Sequence, residues 1–254
     1  MTRPHIESIH AYDIVAEEVR DGLLAGARRR LLSADESDGS STSLVSFPAG
    51  WRGELAGARP VELLALTGGG TLGGRPLRAG TWSWVPAGAT GSELALAEAS
   101  DVLVMVEPER AAGGEIELVD IIEARFEEIE IVTGVPPGFA LKTLRVDPEH
   151  GDRSWIAGGL PGWLGFRGEI HPTVEEAFLV QGDCLLRNSG PMVAGDYFWR
   201  PGGIHHGPFA TRAGQLFFFR TKGGDMQVEW DDPEGWDREA RAYYDAEPWF
   251  VPRR

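Results

Sequence analysis

A single cysteine, Cys184, occurs in the chain, which excludes an internal disulfide and any CxxC redox or metal pair. Flanked by Leu185 and Leu186 in an apolar strand-like run, it is expected to be a buried, inert thiol. No run of ~18 apolar residues exists, so no segment is built to span a bilayer. The opening residues MTRPHIESIHAYDIVAEEVR carry a charge every few positions and no apolar h-region; no secretory signal is visible, and a cytoplasmic location is expected. Basic residues are also scarce, 24 against 39 acidic ones, for a formal charge of −15. That charge repels a phosphate backbone and an anionic lipid surface, so neither nucleic acid nor membrane is expected as a partner. The basic cluster ARRRLL (27 to 32) is the local exception and reads as a solvated strand edge or turn. No Gly-x-Ser-x-Gly elbow occurs. The glycine-rich TGGGTLGG (67 to 74) lacks the Lys-Ser/Thr of a phosphate loop and reads as a hairpin turn.

What is present favours β-structure. The chain has 254 residues, enough for one large or two ordinary domains, and its 42% hydrophobic and 25% charged residues are those of a globular protein. Its 34 glycines and 17 prolines, without a period, mark many tight turns. Runs such as HIESIHAYDI, FALKTLRV, AFLVQG, DYFWR and QLFFFRT are β-branched or aromatic, often alternate, and stop at Gly, Pro or Asp, the pattern of a sandwich or barrel. Helix signals are few. VAEEVRDGLLAGARRRLL is one candidate, interrupted by Gly22 and Gly26; DPEGWDREARAYYDAE near the C-terminus is the better short helix.

An internal repeat divides the chain. SLVSFPAGW (43 to 51) parallels SWIAGGLPGW (154 to 163), RPVELLALTGG (59 to 69) parallels HPTVEEAFLVQG (171 to 182), and GTWSWVPAGATG (80 to 91) parallels GDYFWRPGGIHH (195 to 206), at an offset of about 111 to 115 residues. A boundary near residue 125 gives two similar β modules, 1–125 and 126–254, with the turn-rich TGVPPG (133 to 138) as part of the connection.

Three of the six histidines lie in two short segments of the second module, GEIHPTVEEAFLVQG and GDYFWRPGGIHHG. These segments resemble the two motifs of the cupin superfamily. The first motif is G(X)5HXH(X)3-4E(X)6G; here His171, three residues, Glu175, six residues and Gly182 match everything after the first histidine. The second is G(X)5PXG(X)2H(X)3N; Gly195, Pro201, Gly203 and His206 match it, with Ala210 in place of the asparagine. The resemblance implies an all-β fold of two tandem cupin barrels (double-stranded β-helix or jelly-roll) with few short helices, that is, a bicupin. Its N-terminal copy is degenerate, and a homodimer is expected.

The residues make a metal case on their own terms. Residues two apart on a strand share a face, so Glu169 and His171 project together, and Glu175 keeps that parity if the chain stays extended through Pro172. A turn at Pro201–Gly203 could bring His206 opposite them. Two imidazoles and one carboxylate suit non-haem Fe(II), while Mn, Co, Ni or Zn would also fit. Metal ligation is therefore expected of His171, Glu175 and His206. Glu176 is read as a solvated or salt-bridged neighbour. His205 points away from His206 in an extended segment and is assigned to the surroundings of the pocket. Glu169 stands where the first histidine of HXH would be; a fourth ligand, a general base beside the metal and a solvent-facing carboxylate are its three readings.

Aligning Glu62 with Glu175 puts Ala58 at the His171 position and Gly91 at that of His206, so no metal is expected in the first module, whose role is structural. His5, His10 and His150 are read as ordinary surface or satisfied polar residues. Tyr197, Phe198, Trp199, Phe209 and Phe217 to Phe219 flank the expected site; alternate members could line an apolar pocket. The tail PWFVPRR could dock on a barrel or a partner. The resulting expectation is a metal-dependent enzyme acting on a small organic molecule, foremost an Fe(II) oxygenase or dioxygenase, in which Glu169 or His205 positions substrate or moves a proton. A metal-dependent isomerase or lyase, and a non-enzymatic sensor of a small molecule or metal, are the alternatives.

Overall fold

The computed structural model describes residues 3–110, 113–128, 135–224 and 226–246. The tail at 248 to 254 and residues 133 and 134 of the expected connection lie outside these. Short antiparallel strands make up nearly half of the described residues, which also hold one α-helix and one 3-10 turn. Two compact units result: Met1–Pro4 with His10–Arg125, and His5–Ile9 with Phe126–Arg254.

The first unit holds a seven-stranded sheet in the order Glu117–Asp120, Thr81–Val85, Val61–Ala65, Ser100–Val106, Ser41–Phe47, Arg28–Ala34, Glu17–Glu18. A four-stranded sheet runs Arg52–Glu54, Glu93–Leu96, Gly69–Leu72, Arg75–Arg78. Alternate side chains of both sheets, among them Val45, Leu63, Leu72, Leu94 and Val104, form one apolar core, each large aliphatic contributing about 1.5–3 kcal/mol through burial. TGGGTLGG is a hairpin, Gly69–Leu72 pairing with Arg75–Arg78. The helix expected over residues 15 to 32 does not form. Gly22 and Gly26 sit at φ +75° and +85°, in the left-handed region that ends a helix, and the arginine cluster beyond them is a strand paired on both sides, to Glu17–Glu18 and Ser41–Phe47.

The strands of the second unit around the site are β1 (Ile6–His10), at the edge of its main sheet, and β2 (Phe139–Val146), β3 (Arg153–Gly159), β4 (Gly168–Ile170), β5 (Val174–Leu186), β6 (Asp196–Arg200), β7 (Gln215–Lys222) and β8 (Glu229–Asp231), which line its cavity. The main sheet runs β1, β6, β5, β7, β3, β2 and then Glu127–Glu128. Because β5 has 13 residues and shifts register between Leu179 and Gln181, its far half turns away to pair with Gly190–Val193 and Phe209–Ala210. Strand β4 pairs with β8. The one helix, α1 (Trp236–Ala246), lies where the C-terminal pattern places it; Trp236 and Ala240 pack on Leu185 and Ala210.

The main sheets of the two units repeat one strand order, and their registers can be compared residue by residue. Val61 pairs with Val85 and Val106, and Glu175 pairs with Arg200 and Thr221; Val85 and Arg200 each precede a proline. The counterpart of Glu175 is therefore Val61, and Glu62 corresponds to Glu176, one residue away from the alignment drawn on sequence. The partners agree. Trp82 donates from Nε1 to Glu62 Oε1 at 2.6 Å, as the Tyr197 hydroxyl donates to Glu176 Oε2 at 2.6 Å. A slip of one residue reverses the face of every side chain on a strand.

Candidate metal centre

Two turns meet to build the cluster. His171 lies between β4 and β5, and the turn Pro201–Gly203 follows β6. The amide of Gly203 donates to the His171 carbonyl at 2.8 Å. Gly202 lies so close to the first turn that a β-carbon there would fall 1.9 Å from the Pro172 carbonyl oxygen; only glycine permits that approach. The chain leaving this turn then meets β4, where Glu169 and His206 form an antiparallel bridge.

This arrangement gathers His171, Glu175 and His206, whose nearest ligand-type atoms all lie within 4.8 Å of one another. Glu175 Oε2 is 3.2 Å from His206 Nε2 and 3.9 Å from His171 Nε2, and the imidazoles are nearly perpendicular, at 88°. The three residues are 4%, 3% and 6% exposed in sequence order. His206 Nδ1 lies 2.9 Å from the Ile204 carbonyl, an acceptor. His171 Nδ1 lies 3.0 Å from both the carbonyl and the hydroxyl of Thr173. With Nδ1 donating to those carbonyls, each ring turns Nε2 inward, the atom whose lone pair would serve a cation once any proton there is displaced.

The inward atoms His171 Nε2, Glu175 Oε2 and His206 Nε2 are all buried without a hydrogen-bond partner. One such atom costs about 1–3 kcal/mol; three converging on one point are what a cation would satisfy together. The donor set therefore fits a divalent metal. Without the cation the charges pair among themselves. Burial alone would raise the pKa of Glu175, but His206, His171 and Arg200 hold it well below the usual carboxylate range. For His206 burial works downward, and Glu175 with Glu169 overcomes it, leaving the imidazole at about 10.

The other expected site residues divide. Glu169 is at the cluster, with Oε1 3.4 Å from His206 Nε2, and it lines the adjoining cavity. His205 is not brought to it: the side chain is 43% exposed, bound to Asp231 of β8 at 3.0 Å, and absent from the cavity wall. Glu176 faces the opposite side of β5 from Glu175, is buried, and pairs with Arg220 at 2.6 Å; it is salt-bridged but not solvated. His5 and His150 lie beside Glu7 and Asp147.

The cluster opens on a cavity of about 380 Å³ within the second unit. Alternation decides which aromatics reach it: Phe198, Phe217 and Phe219 line the cavity, whereas Tyr197, Trp199 and Phe218 do not. Cys184 also lines it; burial, with Asp183 nearby, pushes its thiol pKa up, so it stays protonated. Three wall components had no signal in the sequence reading. Trp155 and Trp163 come from strands and turns scored only as core or repeat. Arg200 is 1% exposed and lies 3.8 Å from Glu175 through Nη1; an arginine ending a strand before a proline gives no hint of such burial.

Residues 122–224 match the family described as the ChrR cupin-like domain. No curated protein matches the chain. Among solved structures, a candidate dioxygenase of Nostoc punctiforme is 22% identical over 89% of this chain and 87% of its own, with a TM-score of 0.76. A candidate glyoxylate-induced protein of Pseudomonas aeruginosa is 14% identical, covering 87% and 91%, at 0.64. A point mutant of Bacillus subtilis oxalate decarboxylase is 12% identical, covering 94% and 83%, at 0.54. These likenesses establish the fold, and with the domain match they support the cupin superfamily as its setting.

Proposed function

We propose that the second unit is a metal-dependent cupin enzyme acting on a small organic molecule, with His171, Glu175 and His206 holding one divalent cation. The observation that carries this reading is the convergence of three buried, unpartnered ligand atoms beside an apolar cavity. Fe(II) with oxygenase or dioxygenase chemistry is the favoured form, since two imidazoles and a carboxylate leave positions open on that ion. The likeness to a candidate dioxygenase is in line with it. Mn, Co, Ni and Zn suit the same donors; manganese centres are described for the oxalate decarboxylase with the related fold.

When bound, the cation supplies activation of dioxygen or polarisation of a substrate oxygen. The chain's own residues do the rest. The Ile204 and Thr173 carbonyls orient the two imidazoles through Nδ1. Glu169, 17% exposed at the side chain and facing the cavity, is placed to take a proton from a substrate at its carboxylate oxygens. The ring-lined wall excludes water from the reacting end. The first unit, with Val61 at the position of Glu175, is assigned a structural role in a bicupin.

Metal content of the purified chain, followed by oxygen uptake with candidate substrates after anaerobic Fe(II) loading, tests the proposal. Stoichiometric metal and substrate-dependent oxygen consumption are expected. Oxygen-independent turnover with Mn or Zn would replace oxygenase with isomerase or lyase; tight ligand binding without turnover would make the protein a sensor; a chain that takes up no divalent metal overturns the proposal.

A further inference from the structure

We infer that the cavity binds a flat aromatic molecule carrying a carboxylate, and that the guanidinium of Arg200 receives that carboxylate. The inference rests on reading the cavity as the substrate site, and it concerns what that site selects.

Arg200 closes β6 and is almost wholly buried, on the cavity wall. Its Nη2 is held from behind, donating to Ser189 Oγ at 3.2 Å, and Ser189 in turn donates to Glu7 Oε2 on β1 at 2.6 Å. The guanidinium carbon stacks 3.8 Å from the centre of the Phe198 ring. Nη1 and Nε, by contrast, are buried with no hydrogen-bond partner. Glu175 does not supply one: its nearest oxygen is 3.8 Å from Nη1, beyond hydrogen-bond length, and that oxygen already faces two imidazoles. A fixed, always-charged group on the cavity wall is thus held by neighbours at Nη2 and left without a hydrogen-bond partner at Nη1 and Nε.

At the corresponding position of the first unit, the residue before the proline is Val85, buried in its own core, so the fold itself does not demand an arginine there.

The remaining wall specifies the rest of the ligand. Trp155 and Phe219 stack at 5.4 Å and 14°. Phe139, Trp163 and Phe209 form a second group with centroids 4.8 to 5.7 Å apart. Two groups of rings lining a 380 Å³ space favour one or two fused rings over a flexible chain, which would lose rotamer freedom on entering.

The test is calorimetric titration of the full chain, metal-free and Zn-loaded, with 2-naphthoate, its neutral counterpart 2-naphthamide, and decanoate. The naphthoate is expected to bind roughly tenfold to a hundredfold more tightly than the amide in both forms, the range for a hydrogen bond to a charged group, and about tenfold more tightly than decanoate. In R200Q the preference for naphthoate over the amide should shrink to about twofold or less, with amide affinity and zinc stoichiometry retained. Equal binding of acid and amide by the unaltered chain overturns the inference with no variant needed, as does a preference that survives in R200Q or equal binding of decanoate. Zinc stoichiometry is read separately: full zinc without acid preference sinks this inference alone, and acid preference without zinc binding sinks the metal reading alone.

Discussion

Glu169 and His206 face each other across an antiparallel bridge, the amide of each donating to the other's carbonyl at 2.8 and 3.0 Å. That pairing fixes a carboxylate on the same side as the imidazole, where the cupin motif has a histidine. Glu169 nonetheless stands outside the group of three mutually close ligand atoms. Glu169→Gln should therefore keep one metal per chain, with affinity changed by less than about tenfold, the lower end of the effect of altering a residue around a metal site. Competition with a fluorescent chelator measures this, and a loss as large as that of Glu175→Gln would make Glu169 a fourth ligand.

Glu175 and Glu176 are neighbours on β5 with opposite duties. Replacing Glu175 by alanine should weaken metal binding by at least about 100-fold, since a ligand is removed. Replacing Glu176 by alanine removes the carboxylate that pairs with the buried Arg220 guanidinium and accepts from the Tyr197 hydroxyl, at a cost of about 3–5 kcal/mol, while leaving metal stoichiometry intact. Urea unfolding and metal analysis on both variants separate the two effects; interchanged results would move the site to the other face of the strand.

Metal uptake should release a proton. His206 is held at about 10, so at neutral pH its Nε2 carries a hydrogen that a cation must displace. About one proton per metal is expected at pH 7, read from the dependence of the binding enthalpy on the ionisation enthalpy of the buffer, with affinity rising as pH rises toward 10. The metal-free protein behaves in the opposite sense. The folded-state pKa lies above the ordinary 6.5, so the stabilisation from His206 is complete below 6.5 and fades as pH climbs through about 10. Uptake without proton release would show His206 to be neutral beforehand.

How far the sequence could be read follows from what each feature depends on. His171, Glu175 and His206 were legible because two short turns and one strand parity place them, all local matters. Arg200 was not, because its burial depends on Ser189 and on Glu7, some 190 positions away in the chain. The helix expected over residues 15 to 32 failed where two glycines adopted positive φ and the arginines found strand partners on both sides, a tertiary choice that overrides propensity. The offset of the repeat survived inspection of motifs, but the assignment of Glu62 did not. Only the hydrogen-bond register distinguishes a residue from its neighbour on a strand, and the neighbour faces the other way.

Gly202 and Gly203 are adjacent, yet the fold needs them for different reasons. Gly203 has φ +81° with open space where a β-carbon would go, so Gly203→Ala carries only the left-handed backbone penalty of about 1–2 kcal/mol. Gly202 is outside that region, and its alanine would collide with the Pro172 carbonyl, forcing the turn that carries His206 away from the turn that carries His171. Because backbone meets backbone there, no side-chain rotation relieves the clash. Gly203→Ala should lower the unfolding midpoint while preserving metal affinity within about threefold. Gly202→Ala should weaken metal binding by about tenfold or more even after its loss of stability is allowed for, since ligands on separated turns bind as ligands of a looser site. Zinc titrations at a temperature where both variants are folded decide between them. Equal affinities would mean that the packing of the two turns does not set the distance between the imidazoles.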